Sequence, residues 1–561
     1  MTYILTILGL LLAFWSGNKV CFQVRSDIET GLPLTDILDR FYLDLLERPF
    51  HISFHEIDAT AGLLLATTIA LTALYQKTMK GTRRDGAEHG SARFATQAAI
   101  RPYRDKTYTN NLLFTRTERL SLDGRKTQRN LNALVVGGSG SGKSRYYVLP
   151  NLAQFNTSFA VTDPKGELYA QTHAALEAAG YKVRCFNLVD FNLSATFNPL
   201  SYFKDARGEI DISILVENFI SNTTGRRPAT SSDFWEKAER ALLTALVAYI
   251  YYTKGNAGTL IDVVDLLAQM QAFEKDDESK SDVDLLFEAT EELIQEAEIA
   301  RQDPTQDIFS PEALAAIDGL RFAASQYNTY LQGAGETKKS VIISLGVRCA
   351  PLHMAPMRTL LSTDTLHLER IGLEKTALFL IIPDTHAAFN FLASIFFEQL
   401  FETNIYIADH EDSRRLPVQL QVFMDEFANI GRIPSFERKI AVMRSRAISV
   451  SVIVQNMAQG KALYKEDWDT IVGNCDSILF LGGQERSTTE YFSKMLGKQT
   501  ITTTDVSESR GRNGNWTRGH KRLGRELMTP DEIAHMPTDK CLYFLRGLDP
   551  FYSKKLEAPN V

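Results

Sequence analysis

A chain of 561 residues is long enough for two or three domains with substantial cores. Its formal net charge of -7 argues against a surface coated with nucleic-acid-binding basic residues, though not against a local basic surface or a pore. Its five cysteines are scattered with no Cys-x-x-Cys spacing, which argues against a zinc site or a disulfide framework and for a reducing compartment.

Two apolar runs open the chain, YILTILGLLLAFW (Tyr3 to Trp15) and ATAGLLLATTIALTALY (Ala59 to Tyr75). Both fall at or below the short end of the roughly 20 residues that span a bilayer. A pair of buried core helices is therefore the alternative to a membrane hairpin. The first run lacks a basic leading segment and a small-x-small cleavage site, so a removable signal peptide is the weaker reading. Lys77, Lys80, Arg83 and Arg84 follow the second run, while acids such as Asp27, Asp36, Asp44 and Asp58 dominate between the runs. The positive-inside rule then predicts an anchor over residues 1–80, with spans at 3–17 and 59–75, a short external loop and a cytoplasmic remainder.

A polar, basic stretch from Ile100 to Arg129 leads into LNALVVGGSGSGKSRYYVLPNL. Leu134 to Val136 read as a short buried strand, and the sequence from Lys143 onward reads as a helix. Between them Gly137, Gly138, Ser139, Gly140, Ser141, Gly142, Lys143 and Ser144 have the G-x-x-x-x-G-K-[ST] spacing of a P-loop. The glycines let successive N–H groups face one phosphate chain. Lys143 is expected to neutralise the β/γ-phosphates and Ser144 to ligate Mg2+, with Arg145 at the head of a helix whose positive end faces the same ligand. The expected ligand is a nucleoside triphosphate.

Next come a strand at SFAVT ending in DPKGELY (Asp163 to Tyr169), a helix at YAQTHAALEAAG and a strand at YKVRCFNL. This alternation predicts an α/β domain with a mostly parallel sheet. From about Ile210 to Tyr330 the pattern is helical, including FWEKAERALLTALVAYIYY and the acidic DESKSDVDLLFEATEELIQEAEIARQD, whose charges read as a solvated face. Strand patterns resume at Thr376 to Asp384, Val418 to Glu426, Ile448 to Gln455, Ser477 to Gly483 and Cys541 to Gly547. We therefore expect one nucleotide-binding domain, 81–205 and 328–561, split by an all-helical domain at 206–327. Thr500 to Arg525 reads as an exposed loop or hairpin whose Arg510, Arg512, Arg518, Lys521 and Arg522 could touch nucleic acid, with a mobile polar loop as the commoner explanation.

The strand QVFMDEF ends in Asp425 and Glu426. A carboxylate at a strand end beside a P-loop is placed to hold Mg2+, and its neighbour to act as general base on water. Gln455 closes the strand after KIAVMRSRAISVSVIVQ and could sense a γ-phosphate. Arg444 or Arg446, ahead of that strand, could reach a neighbouring subunit's nucleotide.

In this order the segments HGSARFAT, GGSGSGKS, VTDPKGELY, FNPL, FWEKAERALL, TKKSVIISLGVR, FMDEFANIGRIPSFE, LFLGGQERSTTEYFSKMLG and GRELMTPDEI resemble the type IV secretion coupling proteins, the TraG/TraD kind of conjugation ATPase. The resemblance extends from about Gly90 to GLDPFYSKK. It implies a RecA-like hexameric ATPase tethered to the cytoplasmic membrane. Such a protein takes a relaxase-bound single-stranded DNA, or a protein, to a type IV secretion channel with the help of accessory transfer proteins. It implies Lys143, Ser144, Asp425, Glu426 and Gln455 as site residues and Arg444 as the trans-acting arginine. Asp163 and Lys165 fall in a family motif whose role the sequence does not reveal. Export of effector proteins stays open, with the acidic stretch around Asp276 to Glu298 as a docking surface for basic cargo. So do a chromosome-type DNA translocase and a scaffold that uses ATP only to assemble.

Overall fold

The computed structural model describes residues 2–33, 35, 37–79, 86–224, 233–271, 280–302, 309–333, 335–509 and 515–559. Asp36, Lys80, Arg83, Arg84, Asp276, Arg510 and Arg512, named above, lie outside the described residues. The chain divides into two compact units, Met1–Ser91 with Thr500–Gly524 and Ala92–Gln499 with Arg525–Val561.

In the first unit the apolar runs lie inside longer helices, α1 (Thr2–Glu29) and α3 (Glu56–Met79), with α2 (Ile37–Glu47) between them. Helix α1 outlasts its apolar run because the polar residues that follow find partners in the connecting segment. Asn18 exchanges two hydrogen bonds of 2.9 Å with the Ser53 backbone, and Lys19 pairs with Asp44 at 2.7 Å. Helices α1 and α3 cross at Gly17 and Gly62, where a Cβ on Gly62 would stand 2.5 Å from the Phe14 carbonyl oxygen. Glycine permits that approach. Their outward leucines, among them Leu8, Leu11, Leu12, Leu63, Leu64 and Leu71, are exposed. Thr6–Glu29 and Glu56–Gln76 are long and apolar enough to cross a bilayer.

The strands in chain order are β1 (Asn111–Leu113), β2 (Arg119–Ser121), β3 (Ala133–Val136), β4 (Ser158–Thr162), β5 (Lys182–Asn187), β6 (Thr376–Ile381), β7 (Leu420–Met424), β8 (Ile448–Val454), β9 (Ser477–Phe480), β10 (Lys498–Ser509), β11 (Asn515–Glu526), β12 (Lys540–Leu545) and β13 (Phe551–Lys554). β1 and β2 pair antiparallel. β10 and β11 form a separate two-stranded sheet, in which Lys521 pairs with Asp505 at 2.7 Å. The main sheet of the second unit has nine strands in the order β13-β12-β9-β3-β8-β7-β4-β6-β5. β3 to β9 run parallel, and β12 and β13 turn back antiparallel at one edge.

Alternate residues of a strand face opposite sides, and here both sides are covered. Leu134 and Val136 of β3 enter one core, and Ala133 and Val135 the other. That is why these strands read as unbroken apolar runs. One core holds the long helix Asn390–His410 and most of the helical part; the other holds Tyr147, Leu152 and Leu168.

Between β5 and β6 the chain forms helices Gly208–Thr223, Asp233–Lys254, Leu260–Ala268, Asp282–Gln302, Pro311–Leu331, Gly335–Cys349 and Ala355–Leu360. Helix thus continues beyond residue 327 almost to β6. The acidic helix buries Val283, Phe287, Ile294 and Ala297 on one face, with Phe287 stacked 3.9 Å from Tyr327, and leaves its acids outside. Arg348 and Glu239 form a buried pair at 2.8 Å inside this part.

A second buried pair joins the helix Asn390–His410 to the helix Phe436–Met443. Lys439 lies 2.6 Å from Glu398 and 3.2 Å from Glu402. Burial pushes the Glu398 carboxyl from 4.5 up to about 7, against the pull of Lys439. A carboxyl raised on folding adds stability that is full below its unfolded value and is lost as pH rises through its folded value. Glu398→Gln is expected to flatten the stability slope between pH 4.5 and 7. Urea denaturation across that window checks this, and an unaltered slope would count against it.

Candidate functional site

Beyond Val136 the chain turns through Gly137 to Gly142 at the carboxyl end of β3. The turn is held from behind by its neighbours in the sheet. Gly137 N–H donates to the Val454 carbonyl at 3.1 Å, and Gly138 N–H to the Gly482 carbonyl at 2.9 Å. Gly140 and Gly142 have φ of +75° and +83°, which favour glycine. A Cβ on Gly142 would also lie 2.3 Å from Tyr146 Cδ2. Ser139 is exposed at the tip, and the buried Ser141 hydroxyl has no hydrogen-bond partner among the described residues.

The helix expected from Lys143 onward begins as a π turn, Ser144–Val148, in which Leu149 N–H reaches the Ser144 carbonyl; an α-helical turn, Leu149–Leu152, follows. Pro150 explains the wider turn. It has no N–H to give the Tyr146 carbonyl, and its ring crowds that group in a tighter helix.

Five polar side chains, Lys143, Ser144, Asp425, Glu426 and Gln455, meet at the mouth of the loop. Lys143 Nζ donates to the Gly137 carbonyl at 3.0 Å and lies 3.3 Å from Glu426 Oε1. The Ser144 hydroxyl donates to Asp425. Gln455 Nε2 donates to Glu426 Oε2 at 3.0 Å, while the Gln459 side chain accepts the Gln455 backbone N–H at 3.0 Å. Asp425 is buried, which pushes its carboxyl up to about 6 against the pull of the Ser144 hydroxyl and Lys143. Glu426 has φ of +50°, in the left-handed region.

The residues fit a nucleotide with its magnesium ion. A hydroxyl and a carboxylate in contact, beside a lysine ammonium and an orphaned buried hydroxyl, make a site for a hard cation and phosphate oxygens. With only Ser144 and Asp425 from the chain, such a cation would keep water and phosphate ligands, as magnesium does.

The remaining candidates lie elsewhere. Asp163 accepts the Tyr169 N–H at 2.8 Å and so closes the turn that starts the helix Glu167–Ala178; Lys165 is exposed. Arg444 sits at the opposite end of β8 from Gln455, about 20 Å of strand away. It donates to the Gly124 carbonyl at 3.2 Å and lines a cleft of about 300 Å³ with Arg125, Arg129 and Arg415. Arg446 is engaged by Asp409 through two hydrogen bonds of 2.8 Å. Of the two arginines, Arg444 faces the open cleft.

Two participants escaped the sequence reading. Gly482 supports the loop, and its signal was a Gly-Gly pair directly after a strand. Lys555, at the far end of the chain, donates to the Ser141 carbonyl at 2.9 Å. Nothing in the local sequence marks it.

A parallel sheet in which one strand feeds a glycine turn, faced by carboxylates from a strand end two places along the sheet, defines a RecA-like nucleotide-binding fold. The family model for type IV secretory system conjugative DNA transfer matches residues 94–557, and the chain belongs to that family. It is 24% identical over 438 residues to the conjugal transfer protein TraG of Escherichia coli, across 73% of this chain and 62% of that one. It is 21% identical over 436 residues to VirD4 of Agrobacterium fabrum, across 76% of this chain and 58% of that protein. The chain thus spans 62% or less of the length of these relatives. Among solved structures, the plasmid coupling protein TrwB in complex with ADP and Mg2+ is similar in fold. Its TM-score is 0.55 at 16% identity, across 83% of this chain and 93% of that chain.

The two left-handed glycines separate backbone strain from steric conflict. Gly140→Ala meets no neighbouring atom and is expected to cost about 1 kcal/mol from its backbone alone. Gly142→Ala also strikes Tyr146 and should lower the melting temperature further and weaken Mg–ADP binding by about tenfold or more. Thermal unfolding and calorimetric titration check the pair, and equal losses in both variants would refute the distinction.

Proposed function

We propose that this chain is a membrane-anchored ATPase that couples a relaxase-bound single-stranded DNA, with its attached protein, to a type IV secretion channel in conjugative transfer. It works as a homo-hexamer. The observation that carries this reading is the meeting of Lys143 and Ser144 with Asp425, Glu426 and Gln455, in a chain of the conjugative DNA transfer family. TrwB, which shares the fold, is known in complex with ADP and Mg2+.

In this reading Lys143 neutralises phosphate charge, and the N–H groups of Gly140, Gly142, Lys143 and Ser144 bind phosphate oxygens. Ser144 and Asp425 hold magnesium, which offsets the negative charge that builds up as the phosphate leaves. Glu426 takes the proton of the attacking water. The Gln455 amide fixes one oxygen of that carboxylate, and Lys143 steadies the other. Arg444 serves the nucleotide of the adjacent subunit, consistent with its place far from its own loop.

Residues 1–80 make the anchor in the cytoplasmic membrane, 81–205 and 328–561 the nucleotide-binding domain, and 206–327 the helical domain. Helices Gly335–Cys349 and Ala355–Leu360 lead back to β6. The length of α1 and α3 and their exposed leucines support the anchor. A transporter indifferent to sequence should grip phosphates and stack bases instead of reading base edges.

The full chain in lipid discs should form hexamers by mass and hydrolyse ATP faster when single-stranded DNA is added. A hexamer without turnover in the presence of DNA would sink the motor reading; turnover indifferent to DNA would favour protein cargo. Lys143→Ala should lower turnover by about 100-fold or more and abolish transfer while leaving membrane insertion intact.

A further inference from the structure

The segment after β13 is fixed to the rest of the domain through its backbone. Arg116 N–H donates to the Lys554 carbonyl at 3.0 Å, and Lys555 N–H donates to the Asp539 carbonyl at 2.8 Å. This directs the Lys555 side chain inward, where the residue is only 8% exposed. Its Nζ donates to the Ser141 carbonyl of the loop at 2.9 Å and lies 5.6 Å from the centre of the Tyr146 ring. Among the described residues no carboxylate lies within ion-pair distance of it. A buried ammonium with one carbonyl acceptor is costly to keep unless further negative charge arrives.

Beside Lys555 runs a cleft of about 390 Å³, lined by Arg116, Arg145, Tyr146 and Lys554 and by two carboxylates, Asp539, 4.0 Å from Lys554, and Glu557, 3.0 Å from Arg116. Arg145 lies 5.6 Å over the same Tyr146 ring. None of Asp425, Glu426 or Gln455 lines this cleft. The hydrolytic groups therefore stand on one flank of the loop, and the arginine, tyrosine and lysines stand on another. A phosphate chain laid along the loop with its terminal phosphate toward Glu426 must leave on a different flank.

We infer that Lys555 is a positioning residue, which sets the loop backbone through the Ser141 carbonyl, and that the cleft beside it takes the nucleoside end of a nucleoside 5′-phosphate. This rests on the nucleotide reading above. Pinning the Ser141 carbonyl turns it away from the phosphates, and the ammonium adds positive charge near the α-phosphate. The Tyr146 face and the two flanking cations give a base a stacking surface.

The test uses the full chain in lipid discs and equilibrium titration with Mg–ADP and with Mg–pyrophosphate, which lacks a nucleoside. Lys555→Met should weaken both by about tenfold, the loss of one charge-assisted hydrogen bond. It should raise KM for ATP by the same factor with kcat within about twofold, and Lys555→Arg should recover most of the loss. Arg145→Ala, at an exposed position, should weaken ADP and leave pyrophosphate unaltered. Wild-type affinities in Lys555→Met and Arg145→Ala would overturn the inference and leave the nucleotide reading standing. Wild-type protein that binds neither ligand would overturn both.

Discussion

Parallel pairing of Val136 with Val454, and of Val452 with Met424, decides where the polar groups of the site emerge. β7 and β8 follow β3 in the chain only after the whole helical part and β4 to β6, yet they enter the sheet between β3 and β4. Three strand ends that are remote in sequence thus open at one edge, carrying the glycine turn, Asp425 and Gln455. The register leaves little freedom. A slip of one residue would turn every side chain of a strand to the other face, and Phe423 and Ile453 would then exchange cores with Val422 and Val452.

Most of this edge was legible in the sequence, for one physical reason. A strand buried on both faces reads as an apolar run, so it ends visibly where polar chemistry begins, at Gly137, Asp425 and Gln455. What was not legible depends on partners brought in from afar. Lys555 and Ser141 are 414 positions apart, and Arg446 finds Asp409 across 37. Neither link has a periodicity to betray it. Asp163 is different, since its bond to Tyr169 spans six residues and a turn residue, Gly166, stands between them. An aspartate three positions ahead of such a glycine, before a helix, is a local capping signal. Pro150 carried a signal for the π turn after Ser144 that the helical reading from Lys143 onward passed over.

Burial of charge recurs away from the site as well. Arg348 with Glu239, and Lys439 with Glu398, lie inside or beside the helical part, where apolar packing alone would be compatible with several arrangements. Such pairs give little net stability, but removing one member costs roughly 3–5 kcal/mol because its partner is left buried and unmatched. Arg348 also donates to Thr224 at 2.8 Å, so the end of the helix Gly208–Thr223 is tied to the same group. The helices are thereby specified by a few directional contacts on top of a broad apolar core.

The left-handed backbone at Glu426 has a meaning of its own. Glycine or asparagine would occupy that position more comfortably, by about 1 kcal/mol. Among the eight described non-glycine residues with positive φ, Glu426 is the carboxylate held between Lys143 and Gln455. A chain optimised only for endurance to heat would not keep a glutamate there. Thermal hardening and chemical competence therefore pull this position in opposite directions.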